Sequence, residues 1–303
     1  MAGWAWIPLT LFASGAQTLR NAAQRSLIRD VGTLGATLVR FLYGLPFSLI
    51  WLAIVLGVTG HALPGPNREF VAWVFVGGVS QIAATALLLR VMTERNFALG
   101  VAYSKTEIVQ VAVFALIFLG DAVSTLAALA VGLATAGLLL ISSPPGEPPL
   151  LGILKGWTSK AALLGFASGA GFALAAVSYR GAALALDDTT KTLAAAYALV
   201  WAQAIQTLVL GGWLMARTPK VINGVMREWR TSLTAGFMGA AASIGWFTAM
   251  ALEPVAHVRT LGLAEMLFSL AVSRQFFKER SRPAEIAGIV LLTCGLIAIT
   301  ASA

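Results

Sequence analysis

The sequence predicts an all-α polytopic membrane protein with ten transmembrane helices in two inverted-topology five-helix repeats. Three observations predict it. Of 303 residues, 58% are apolar and only 11% are charged, whereas soluble domains carry about 25% charged residues. The apolar residues gather in runs of the length a helix needs to cross a bilayer, about 20 residues. Matching residues recur at a constant spacing between the two halves.

Runs bounded by Pro, Gly and charge place spans at 4–25, 33–57, 69–92, 97–119 and 122–142, then at 159–180, 191–215, 230–252, 255–277 and 283–302. The first run, from Trp4, reads as a helix and not a cleaved leader: it has no basic n-region and carries Gln17, Arg20 and Asn21. The proline-rich stretch SSPPGEPPLLGILKGW is the obvious linker. One membrane domain, 1–303, thus divides into a first repeat at 1–143, a linker at 144–157 and a second repeat at 158–303.

The repeat rests on particular matches. Phe12 to Ala16 recurs as Phe166 to Ala170, and at a shift of 158 Gly78 meets Gly236, Met92 meets Met250, Glu107 meets Glu265, Asp121 meets Glu279 and Gly137 meets Gly295. An odd number of spans per half makes the second half enter from the opposite side, the architecture of many alternating-access carriers.

The net charge of +8 comes from basic residues scattered between spans. It argues for topology signals and lipid headgroups and against nucleic acid, which would call for a continuous basic stripe. Fifteen Lys and Arg, Arg20 among them, fall on one side, against Arg68, Arg180, Lys191 and Arg259 on the other. By the positive-inside rule both termini then lie outside the cytoplasm of a multi-pass protein in the cell (inner) membrane. The single cysteine, Cys294, sits in the last span and reads as structural. Two histidines, His61 and His257, and no intramembrane cluster of His and Asp leave no enzyme constellation, metal site or cofactor to expect. No GxxxxGK[ST] motif is present for direct ATP drive.

Hydrocarbon penalises Arg40, Lys105, Glu107 and Glu265, by about 2.5–3.5 kcal/mol each on insertion scales, so they belong in a polar interior. Lys105 and Glu107 are two residues apart and face different directions on a helix, which gives them partners elsewhere, with Arg40 and Glu265 the natural ones. They either hold helices together as buried ion pairs or line a substrate or proton pathway. Glu253, Pro254, His257 and Arg259 form a polar cluster near one surface, where His257 is an interfacial histidine or a proton relay. Asp121 and Glu279 are placed to cap the helices that follow. Trp4, Trp6, Trp73, Trp157 and Trp229 suit an interfacial belt. Trp51, Trp201 and Trp246, with Tyr43, Tyr103 and Tyr197, either line an aromatic cavity or pack and face lipid.

Glu107-Ile108 leads through an apolar helix to Leu119-Gly120-Asp121 and on to Gly137, and Glu265-Met266 leads to Phe277-Lys278-Glu279-Arg280 with Gly288 and Gly295 beyond. Arg40-Phe41 lies within the second span. In these features the chain resembles, over nearly its whole length, the ten-helix EamA-type branch of the drug/metabolite transporter superfamily. Both copies lack the proline that often follows the mid-helix glutamate, and Asp121 stands where Glu is usual. The family generally keeps both termini in the cytoplasm, opposite to the charge tally.

The resemblance implies a secondary transporter, an exporter of small metabolites such as amino acids or related compounds, working by alternating access around a central cavity. Substrate binding or coupling then falls to Glu107, Glu265, Lys105, Arg40, Tyr103, Trp246, His257 and Arg259, which would hold zwitterionic groups or a coupling proton. The partners expected are a small-molecule substrate and membrane lipids, for a monomer or homodimer. A flippase or accessory subunit for lipid-linked intermediates is the alternative, and a structural scaffold the third reading.

Overall fold

A computed structural model describes residues 3–91, 104–141, 160–186, 188–268 and 283–302. Tyr103, Trp157, Glu279 and the linker 144–157 lie outside the described residues. No strand occurs among those residues. The helices are α1 (Trp6–Leu42), α2 (Leu45–Thr59), α3 (Arg68–Val91), α4 (Glu107–Leu119), α5 (Thr125–Ile141), α6 (Lys160–Leu184), α7 (Lys191–Arg217), α8 (Pro219–Arg227), α9 (Trp229–Leu252), α10 (Val255–Leu261) and α11 (Pro283–Ala301).

Among the described residues, five helical segments are long and apolar enough to cross a membrane: 23–59, Arg68–Val91, 162–184, Lys191–Arg217 and Trp229–Leu252. The distribution of side chains suits that solvent. Val58, Ile117 and Leu208 stand 82%, 66% and 73% exposed on the outside, while Arg40, Glu107, Gln203, Gln206 and Glu265 are buried. A water-soluble protein reverses this order, since its charged side chains are almost never fully buried unless paired. The fold is that of an α-helical membrane protein.

Two boundaries differ from the sequence expectation. Where a loop is expected between 25 and 33, helix continues to 31 and the break shrinks to one residue, Gly32 at φ 69° and ψ 174°, across which two helices join as α1. Glycine reaches that conformation without a steric penalty. The span expected at 33–57 is instead interrupted at Tyr43 and Gly44. Pro46, in the first turn of α2, has no N–H for the carbonyl four residues back and its ring crowds that carbonyl, so α1 cannot continue through it. Helix α8, in what reads as a loop, is short and buries Val225 against Leu27 and Val31 of α1.

Helix α1 lies along α9, α3 along α6, and α5 along α11. The last pairing is held by glycines. A Cβ on Gly137 would run into the backbone of Leu292 and Gly288, and one on Gly295 into the backbone of Ala134 and Ala130. Small residues let membrane helices approach this closely, so that van der Waals packing replaces the missing hydrophobic drive. Gly137→Ala is therefore expected to cost about 1–3 kcal/mol and lower the thermal midpoint in detergent. Gly132→Ala, on the same helix but with open space around it, should leave the midpoint unchanged or raise it.

The tryptophans do not form one belt. Trp4 and Trp229 are exposed as interfacial anchors would be, but Trp6 is buried beside His257. Trp201 packs against Phe70 and Tyr197 and is no part of the central cavity.

Candidate functional site

The spans expected as continuous at 97–119 and 255–277 are both broken beside their glutamates. Ser104 is helical, Lys105 and Thr106 form a turn, and α4 starts at Glu107. In the second half α10 ends at Leu261, Gly262 and Leu263 form a turn, and helix resumes at 264. At both places the backbone tightens to bonds three residues apart, Ile108 N–H to Lys105 O at 3.4 Å and Met266 N–H to Leu263 O at 2.9 Å. These two bonds are related by the same shift of 158 as the glutamates. No proline causes either break. Ser104 and Thr106 have side chains that compete for backbone hydrogen bonds, and Gly262 is a poor helix former.

Lys105 sits in the first break, turned away from the face that carries Glu107. Its Nζ then reaches Glu265 Oε2 at 2.8 Å. Arg259, on α10, pairs in the opposite sense with Glu107. Each half thus supplies a cation to the other half's carboxylate. Glu265 accepts further from Gln17 Nε2 at 2.9 Å and Asn21 Nδ2 at 3.2 Å, both on α1. Trp246 on α9 completes the ring of contacts: its Nε1 donates to Gln17 Oε1 at 3.1 Å, and the Arg259 guanidinium lies 4.8 Å over its indole. That arrangement adds a cation–π attraction to the Arg259–Glu107 pair.

These groups line a central cavity together with Arg20, Arg40, Gln81, Phe172, Tyr179, Phe247 and Met250. Arg20 is 3% and Arg40 4% exposed. Arg40 donates to Thr85 Oγ1 at 3.2 Å, and Arg20 to Asn21 Oδ1 at 2.8 Å. On another wall Tyr179 OH donates to Gln81 Oε1 at 2.9 Å, Gln206 Nε2 donates to the same oxygen at 2.7 Å, and the Tyr179 and Phe247 rings lie 4.3 Å apart. Immediately beyond Tyr179, Arg180 ties three elements together. It donates to Asp121 Oδ2 at 2.9 Å and to the carbonyls of Met250 and Glu253 at 2.7 Å each.

Six of the eight residues singled out in the sequence, Arg40, Lys105, Glu107, Trp246, Arg259 and Glu265, meet in this cavity. Tyr103 lies outside the described residues. His257 stands apart from the cavity, with Nδ1 2.5 Å from Glu253 Oε1. The pairing differs from expectation in one respect: Glu107 takes Arg259, and Arg40 takes Thr85. Arg20, Arg180 and Arg259 are interior groups and not loop charges, and removing them from the two sides of the tally leaves its direction unchanged. Asp121 pairs with Arg180; Ser124 caps α5, its Oγ accepting from Ala127 N at 3.1 Å. Gln17, Asn21, Gln81 and Tyr179 are cavity residues that sequence reasoning did not single out, although polar groups in an apolar run were the available signal.

Fold and site together define an α-helical membrane protein with a charged, largely buried cavity at its centre. No protein-family profile matches the chain, and no curated protein matches it. A solved crystal structure superposes on 98% of this chain and 93% of its own with a TM-score of 0.64 at 15% identity, a likeness of fold alone.

Proposed function

We propose that the chain is a secondary transporter, working as an exporter of small metabolites such as amino acids or related compounds, of the EamA type within the drug/metabolite transporter superfamily. In this reading ten spans form two inverted halves in the inner membrane, which rock about the cavity. Both termini face away from the cytoplasm, following the Lys and Arg distribution.

One observation carries the reading: Lys105–Glu265 and Arg259–Glu107 cross between the halves at two helix breaks and line one cavity. Discontinuous helices at the repeat interface are where carriers bind substrate and coupling ions. Support comes also from the packing. The FASGA segment of α1 touches the second-half break, Ser14 Oγ donating to Gly262 O at 3.3 Å, while that of α6 meets the first, a Cβ on Gly169 lying 2.8 Å from Ser104 O. A scaffold would have no use for four ionisable groups at that depth.

Uptake into proteoliposomes of a panel of amino acids and related metabolites, with and without a proton gradient, tests the reading. Wild-type protein should accumulate a panel member, and Glu107→Gln combined with Glu265→Gln should reduce that flux to the level of empty liposomes. Wild-type flux by the double variant would overturn the proposal.

A further inference from the structure

We propose that Arg20 and Arg40 form an anion subsite in the central cavity, so that the compound taken there is a small organic anion bearing a carboxylate or phosphate group. The inference rests on the reading of this cavity as the transport site and narrows its substrate class.

Charge is unevenly matched around the cavity. Its described lining residues include four cations, Arg20, Arg40, Lys105 and Arg259, and two carboxylates, Glu107 and Glu265. Both carboxylates are already engaged, Glu107 by Arg259, and Glu265 by Lys105, Gln17 and Asn21. No carboxylate among the described residues lies within ion-pair distance of Arg20 or Arg40. Their acceptors are neutral: an amide oxygen for Arg20 and a hydroxyl for Arg40.

The two arginines also lie together. Both side chains run over Gly239 of α9, where an added Cβ would be 3.4 Å from Arg20 Cδ and 3.4 Å from Arg40 Cγ. Arg20 Nε and NH1 are buried and have no hydrogen-bond partner among the described residues. Leaving buried donors unmade is costly, and two like charges repel more strongly away from bulk water. An oxyanion between the guanidiniums would relieve both penalties at once. The planar guanidinium fork matches a carboxylate or phosphate in geometry as well as charge. An ammonium group has the opposite prospect, because neither cavity carboxylate is left without a cation. The rest of such a ligand would meet Phe172, Tyr179, Phe247 and Trp246, an aromatic wall.

The test is binding to the purified full-length protein at fixed ionic strength, read by thermal shift and calorimetry. The probes are glutarate, L-glutamate and inorganic phosphate against L-leucine and L-lysine. At least one anion should raise the thermal midpoint while leucine and lysine do not. Arg20→Gln or Arg40→Gln should weaken that anion by about tenfold or more, the loss of one charge-assisted bond, with Arg20→Lys retaining part of the affinity. Should the glutamine variants not fold, counterflow decides: wild-type liposomes loaded with the anion should accumulate labelled anion, and those loaded with lysine should not. No response to any anion, or an equal response to lysine or leucine, overturns the subsite. Anion binding without flux discards the transport reading and keeps the subsite; flux of leucine or lysine with no anion effect does the reverse.

Discussion

Glu265→Gln is expected to destabilise the protein by about 3–5 kcal/mol, the cost of leaving one member of a buried ion pair without its partner. Three donors, Lys105 Nζ, Gln17 Nε2 and Asn21 Nδ2, converge on the two oxygens of this carboxylate. A glutamine presents one acceptor oxygen and an NH2 group, so at least one of the three donors then faces another donor. Lys105 suffers most, being charged and only 18% exposed at its side chain. The thermal midpoint of the single variant in detergent should fall by several degrees. Adding Lys105→Met should restore part of the loss, because the uncompensated ammonium is gone, and the double-mutant cycle isolates the pair. A single variant as stable as the wild type, with no coupling to Lys105, would show that the carboxylate does not hold the cavity in this form.

The second large effect is expected at Arg180. Its guanidinium joins α6 to Asp121 after α4 and to the last carbonyls of α9, where the helix dipole favours a cation. Arg180→Leu removes all three bonds and strands the carboxylate, again a loss of about 3–5 kcal/mol if the side chain acts only in folding. Its position gives a sharper expectation. Tyr179 and Met250 line the cavity, and Arg180 is the residue next to Tyr179 and bonds the Met250 carbonyl. In a Cys294→Ser background, a cysteine placed at Ala176, which also lines the cavity, should react faster with a membrane-impermeant thiol reagent applied from the Arg180 side once Arg180 is replaced. Unchanged labelling from that side would make the guanidinium a structural tie alone.

The charged centre of the protein was largely legible because lipid tolerates so little. An apolar run that carries Lys105, Glu107 or Glu265 has to turn that residue inward, whatever the details of packing. Partner choice was not legible in the same way. Whether Glu107 meets Arg40 or Arg259 depends on which helices pack beside it, and residue types alone do not say. Arg20 reads in the sequence as a topology charge because it falls near the expected end of the first span, where basic residues ordinarily set topology. The kinked α1 extends well past that end and presses Arg20 against Gly239. His257 and Arg259 look alike as neighbours in sequence, yet two positions are about 200° apart around a helix, and one reaches the cavity while the other bonds Glu253.

The excess of arginine and lysine over carboxylate around the cavity also bears on voltage. Moving one elementary charge through 100 mV is worth about 2.3 kcal/mol. In the proposed transport cycle, a doubly negative cargo would neutralise the described charges of the cavity, so the loaded form could reorient without feeling the membrane potential while the empty form could not. A singly negative cargo would leave both forms electrogenic. The valence of the bound compound would therefore decide which half of the cycle a cell's own electric field drives.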